Sequence, residues 1–303
     1  MGVANQVAKA SFRQLSGNDV IEIVPDFRAD HLFHFFLSPG LLDEQRPAKY
    51  RKVPYGINRY YFRSSDMRTD FESTVANLVD ANRILFNEEV VDGFGHVSVR
   101  QPDRADRFLI SRSLAPALVT ANDIVDLDLD GESANSEGPK LYLERFIHAA
   151  IYKRRPDVHA VVHSHSATLV QFGIVRGLRL QPVCHMCGFL GAGAPVFEIR
   201  EAFGDGTDLL IRDAERGSEL ANSLGDHAAI LMRGHGSTVV GGSLQEAVFR
   251  SVYLEKNAKI QSEAMKMGDI VPLTLAEAEA ADAANFAQIG RAWDLWKRAA
   301  DNR

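Results

Sequence analysis

Cysteine is nearly absent: Cys184 and Cys187 are the only two in 303 residues. A stapled scaffold needs several paired cysteines, so a disulfide framework is excluded and a reducing cytoplasm is the expected compartment. Their Cys-X-X-Cys spacing lacks the second pair of a zinc site, and Gly188 does not complete a haem motif. They read as two small, partly buried thiols. An excess of positive charge is missing too. Lys and Arg number 34 against 40 acidic residues, for a formal net charge of -6. That excludes the basic stripe of a nucleic-acid footprint, although scattered arginines can still grip a small anion locally. No run approaches the roughly 20 apolar residues that cross a bilayer, so no membrane association is expected. Met1 to Arg13 carries no charged-then-apolar export pattern. No internal repeat is visible.

What is present is an ordinary globular composition, 46% hydrophobic and 24% charged. Residues 1–68 differ from the rest. Phe27 to Leu37 is dense in aromatics and histidines (His31, His34), and Pro39-Gly40, Pro47 and Pro54 punctuate the next stretch of chain. This reads as an N-terminal arm that packs on a body or on a neighbouring subunit, with residues 69–303 as the body. Apolar spacing predicts helices over Met67 to Phe86, Leu141 to Arg154, Leu244 to Met267 (Ser243 as N-cap) and Leu275 to Ala300. Strands are expected at His96 to Arg100, Phe108 to Ile110, Ile124 to Leu129, Val158 to His163 and Ala228 to Met232. Helices bracketing short strands indicate an α/β body with a layered sheet.

Three segments carry chemistry. His163 and His165 end an apolar run. At i and i+2 on a strand they share a face, with Cα atoms about 6.5 to 7 Å apart, close enough for both imidazoles to meet one ion at about 2.0 to 2.1 Å. Histidines lining a polar edge would show the same spacing. Arg233-Gly234-His235-Gly236 comes directly after a second strand, and flanking glycines let the backbone fold closely around whatever His235 holds. Together the three imidazoles leave coordination positions open for water or substrate. Glu144 lies on the helix before the His-X-His strand, four residues from His148. It can close a metal sphere, act as acid or base, or simply pair with His148 on the helix surface.

The run Gly95-His-Val-Ser-Val-Arg100, then Leu143-Glu144-Arg-Phe-Ile-His148-Ala-Ala-Ile-Tyr152, Arg155-Pro156-Asp157-Val158, His163-Ser-His165 and Gly234-His235-Gly236 resembles the class II aldolase/adducin family from about Phe71 to Lys266. The resemblance implies a three-layer α/β/α sandwich around a mainly antiparallel sheet, a homotetramer, and sites where subunits meet. It also implies His163, His165 and His235 as metal ligands, with Glu144 as a further ligand or acid/base. Adducin-type members that lost catalysis lack the histidine set, so its presence favours an enzyme.

Departures narrow the chemistry. Where the sugar-phosphate aldolases place short hydroxyl donors around a phosphate, this chain carries His96, Arg112-Ser113 and Tyr142-Leu143. That lining suits a flat carboxylate, which Arg112 can hold by two parallel hydrogen bonds. Met186, after His185, replaces the tyrosine that protonates an aldehyde oxygen in the aldolases. Phe94 to Ser98, Ser111 to Pro116, Tyr142 to His148 and Ile289 to Lys297 resemble the family's aromatic-acid decarboxylases, which act on 3-hydroxy-2-methylpyridine-4,5-dicarboxylate or dihydroxyphthalates. The expectation is a metal-dependent carboxy-lyase. Its divalent ion, one per subunit, would be zinc, manganese or iron, and no organic cofactor is expected. Glu144 is the first candidate proton donor and His185 the second, while His96, Arg112, Ser113 and Tyr142 would bind the anion. Alternatives are an aldolase, dehydratase or epimerase on an unphosphorylated hydroxy-carbonyl compound, an iron-dependent oxygenase, or an adducin-like scaffold. His148, His159 and His227 read as structural, Ser98 and Arg100 as bracing a strand, and Tyr253 as core.

Overall fold

The computed structural model describes residues 10–14, 20–25, 61–135 and 137–301. Its contacts divide the chain into two units, Met1–Phe71 and Glu72–Arg303. In the first, Ala10–Gln14 (β1), Val20–Pro25 (β2) and Tyr61–Arg63 (β3) form an antiparallel sheet in that order. The aromatic run Phe27 to Leu37, with His31 and His34, lies outside the described residues. A helix, Ser64–Asn87 (α1), begins before the Met67 expected from apolar spacing.

The second unit is built on a seven-stranded sheet. Its strands are His96–Gln101 (β4), Arg104–Ser111 (β5), Ile124–Asp128 (β6), Ala160–Ser164 (β7), Val196–Phe197 (β8), Ala229–Met232 (β9) and Gly236–Gly241 (β10). They lie in the order β6-β5-β4-β7-β10-β9-β8, antiparallel throughout except for β8 beside β9. The helices after α1 are Arg145–Arg154 (α2), Ala167–Ile174 (α3), Ile199–Phe203 (α4), Ala214–Leu224 (α5), Leu244–Met267 (α6), Leu275–Phe286 (α7) and Ile289–Asp301 (α8).

Two-residue alternation along the strands sorts side chains into two cores. Val97, Val99, Leu109, Val162, Leu231 and Val239 join α1 and α6 residues such as Leu78, Ile84, Val248 and Val252, together with Trp293 and Trp296 of α8. Phe108, Ile110, Val161, Ile230 and Val240 join Ile147, Ile151 and Tyr152 of α2 and Leu220 and Leu224 of α5. Helices therefore cover both faces of one sheet, the expected α/β/α sandwich. No helix among the described residues is long and apolar enough to cross a membrane.

Three local expectations need correction. The helix expected from Leu141 starts only at Arg145, so Tyr142 and Leu143 precede it and Glu144 is its N-cap residue. Leu275 to Ala300 is two helices, because the chain turns at 287–288, where Gln288 N–H reaches back to the Asn285 carbonyl. The strand β10 was not anticipated. Its glycine-bounded Ser-Thr-Val-Val core is short, and Ser237 and Thr238 interrupt its apolar pattern. The long helix α6 begins where expected, with the Ser243 hydroxyl accepting from Glu246 N–H at 3.1 Å.

Candidate active site

Sheet geometry assembles the cluster. His163 lies on the central strand β7, with His96 of β4 opposite it on one side and Thr238 of β10 on the other. His165 stands just beyond the end of β7, and His235 sits in the tight turn joining β9 to β10. That turn is possible because Gly234 has φ of 67°, a left-handed conformation that side chains resist. Gly236 meets a separate limit. A Cβ there would run into the Ser164 carbonyl, so only glycine lets β10 approach the end of β7.

The imidazoles face one another. His163 Nε2 lies 2.9 Å from His165 Nε2, and His235 Nε2 lies 3.1 Å from the same atom. Glu144 Oε2 is 3.6, 3.9 and 3.3 Å from Nε2 of His163, His165 and His235 respectively. Four ligand atoms within 4.8 Å of one another thus surround a common point. Around an ion bound at about 2.0 to 2.1 Å, tetrahedral ligand atoms stand about 3.3 Å apart, so the donor set fits a divalent cation. The orientation of His163 agrees: its Nδ1 lies 3.0 Å from the Ser237 carbonyl, an acceptor that can take the ring proton when Nε2 gives its lone pair to a cation. His235 Nδ1, by contrast, is buried without a hydrogen-bond partner among the described residues.

Glu144 is not the helix-surface partner of His148. Because α2 starts one residue later, its carboxylate swings toward the histidines, and Oε1 accepts from Ile211 N–H at 3.0 Å. Burial alone would raise its pKa, but hydrogen bonds and charge from His163 and His235 overcome that and hold it well below the carboxylate range. Burial, reinforced by His163 and His235, lowers His165 to about 4.

The other expected residues divide. The His96 ring centroid lies 5.0 Å from that of His163 and 4.6 Å from that of Tyr142, so both residues border the cluster. Tyr142 Oη is 3.1 Å from Ser111 Oγ and donates to the Leu114 carbonyl. Arg112 Nε is tied to Asp123 at 2.6 Å, while its two terminal nitrogens have no partner among the described residues. Ser113 donates its backbone N–H to the Lys140 carbonyl. His185 is not brought into the cluster. It opens a 3-10 segment, His185–Leu190, with its ring exposed and with no ring contact or side-chain hydrogen bond among the described residues. The two cysteines are free, their sulfurs 3.3 Å apart.

His148, which the sequence reads as structural, joins a buried polar line. Fully buried on α2, it places Nε2 2.6 Å from His96 Nδ1 and Nδ1 2.6 Å from Ser98 Oγ, which is 2.8 Å from the Tyr152 hydroxyl. Ser98 and His96, two residues apart on β4, share the strand face that α2 covers.

Comparison with known proteins agrees with this architecture. Residues 76–262 match the Class II Aldolase and Adducin N-terminal domain family, and the chain belongs to it. Among relatives, the decarboxylase tropJ of Talaromyces stipitatus is 38% identical over 247 residues, covering 74% of this chain and 92% of that protein. The 3,4-dihydroxyphthalate decarboxylase of Arthrobacter keyseri is 29% identical over 203 residues, 62% of this chain and 77% of that one. The L-fuculose 1-phosphate aldolase from Glaciozyma antarctica PI12 has a similar structure, with a TM-score of 0.63 and 26% identity over 78% of this chain and 93% of its own.

Proposed function

We propose that this chain is a metal-dependent carboxy-lyase that removes carbon dioxide from a hydroxylated aromatic or pyridine carboxylic acid. The convergence of Glu144 with His163, His165 and His235 carries the reading. Similarity to two decarboxylases directs it toward carbon dioxide loss in preference to aldol cleavage.

A divalent cation held by the three histidines would supply a Lewis acid, able to take up negative charge as the carbon–carbon bond breaks. The chain's own groups do the rest. Arg112, whose two terminal nitrogens have no partner among the described residues, and His96 orient the substrate carboxylate, with Tyr142 and Ser113 as further contacts to it. Glu144, ionised in the resting protein, takes the proton of the hydroxyl ortho to that carboxylate and returns it to the ring carbon bearing the carboxylate. The carbon–carbon bond then breaks, carbon dioxide leaves with aromaticity restored, and water reprotonates the phenolate. His185 keeps no part in this reading. The active assembly is a homotetramer, a state that sedimentation velocity checks.

Metal analysis of the purified protein, followed by a carbon dioxide release screen over ortho-hydroxy aromatic and pyridine dicarboxylates, tests the proposal. Bound metal and release from at least one compound are expected. Cleavage of sugar-like aldols with no carbon dioxide from any acid would replace it with the aldolase reading.

A further inference from the structure

The line His96, His148, Ser98 and Tyr152 has no part in holding a metal, yet four polar side chains lie buried in sequence behind the cluster. Packing alone would be served by apolar side chains of similar shape, and leaving one such group unpaired costs about 1 to 3 kcal/mol. Each contact must therefore hold a proton that one atom donates and the next accepts.

Both rings are buried and their hydrogen-bond partners in this line are neutral groups, with no carboxylate among them, so each is held as a neutral imidazole that offers one N–H and one lone pair. Two senses of donation are then available. Running outward from His96, its Nδ1–H donates to His148 Nε2, His148 Nδ1–H donates to Ser98, and Ser98 donates to the Tyr152 oxygen. The phenolic hydrogen is then left buried with no acceptor. Ser98 Oγ is the one side-chain partner of that hydroxyl among the described residues, and the Val161 backbone N–H beside it can only donate. In the opposite sense Tyr152 donates to Ser98 Oγ, Ser98 donates to His148 Nδ1, and His148 Nε2–H donates to His96 Nδ1. Every hydrogen between the four side chains then has an acceptor. His96 then carries its own proton on Nε2, an atom with no partner among the described residues, on the ring edge away from His148 and beside Tyr142 and His163.

We infer that the Tyr152–Ser98–His148 line fixes His96 as its Nε2–H tautomer, so that His96 presents a hydrogen-bond donor to an oxygen of an anionic substrate, with His148 as the positioning residue. Only the identity of that anion rests on the decarboxylase reading; the tautomer does not.

The test uses full-length, zinc-loaded protein labelled with 15N-histidine. Long-range proton–nitrogen spectra are expected to give the Nε2–H pattern for His96 in the wild type and to lose that bias in His148→Phe. With a substrate from the carbon dioxide screen, His148→Phe should lower kcat/KM about 10-fold or more. His148→Gln, whose amide can donate where Nε2 did, should retain most of it at the same melting temperature. An Nδ1–H pattern for His96 in the wild type overturns the inference. So does a folded His148→Phe with unchanged kcat/KM, or a His148→Gln as impaired as His148→Phe. Should His148→Phe fail to fold, the wild-type spectrum and Ser98→Ala decide, the latter being expected to give mixed His96 tautomers. If no acid in the screen releases carbon dioxide, the proposed function fails while the spectrum still judges the tautomer.

Discussion

At the scale of single residues, Glu144 carries two separable duties. Oε1 accepts from Ile211 N–H, and Oε2 faces the three imidazoles. Glutamine keeps an acceptor for Ile211 but cannot hold a transferable proton. Glu144→Gln should therefore keep its fold and its metal, through His163, His165 and His235, while turnover falls by about 10²- to 10⁴-fold. Elemental analysis beside carbon dioxide release measures both. A variant with metal bound and full turnover would remove Glu144 from proton transfer. The residue's importance was readable in the sequence only through its neighbours and a family resemblance, because Glu144 and His148 at i, i+4 also spell an exposed helix pair. What decided between the two was the helix start, a boundary that apolar spacing defines poorly when Leu141 and Leu143 continue the pattern backwards. The partners of His148 were hidden for a different reason. A lone histidine on a helix has no spacing to reveal that its partners come from the facing strand.

Among the elements, the turn between β9 and β10 is where sequence and structure agree most directly. Glycines on both sides of His235 announced a tight backbone, and Gly236 proves to be where β10 presses on the end of β7. In Gly236→Ala the methyl group would meet the Ser164 carbonyl, which cannot retreat without disturbing His163 and His165 on either side. Lower thermal stability and substoichiometric metal are expected together, readable by calorimetry and elemental analysis; a variant losing stability but keeping full metal would uncouple the strand contact from the site. The α6 cap offers a contrasting case remote from chemistry. Ser243→Ala removes the acceptor for Glu246 N–H and should cost about 1 kcal/mol, while leaving kcat/KM unchanged. Denaturant unfolding measures the first and steady-state kinetics the second. The strand β10 itself was illegible because its two buried polar residues break the apolar pattern, Thr238 facing His163 and Ser237 facing Ser164 on the opposite side of the sheet. The break between α7 and α8 was equally hidden, since apolar spacing runs on through it.

Over the whole molecule, the layered fold was legible because the strand alternation that separates the two cores is a property of composition at every second residue. By local spacing the site was most legible where His163 and His165 stand two residues apart at the end of β7. Bringing His235 and Glu144 to that pair requires the sheet order β7-β10-β9 and the position of α2 over it, neither of which is local information. The same dispersal has a thermodynamic consequence. Ligands from β7, the β9–β10 turn and the start of α2 come together only in the folded chain, so a cation bound there is linked to global stability. At a free metal concentration 100 times its dissociation constant, that linkage is worth about 2.7 kcal/mol. For a chain of this size it corresponds to a rise in Tm of about 4 °C. Chelation should therefore lower Tm and abolish carbon dioxide release together, and readdition of zinc, manganese or iron should restore both. Stripped protein with an unchanged Tm at every metal concentration would mean that no cation bridges these elements. A His235→Ala protein should respond far more weakly to metal than the wild type, because it removes the ligand that ties β10 to β7 through the ion.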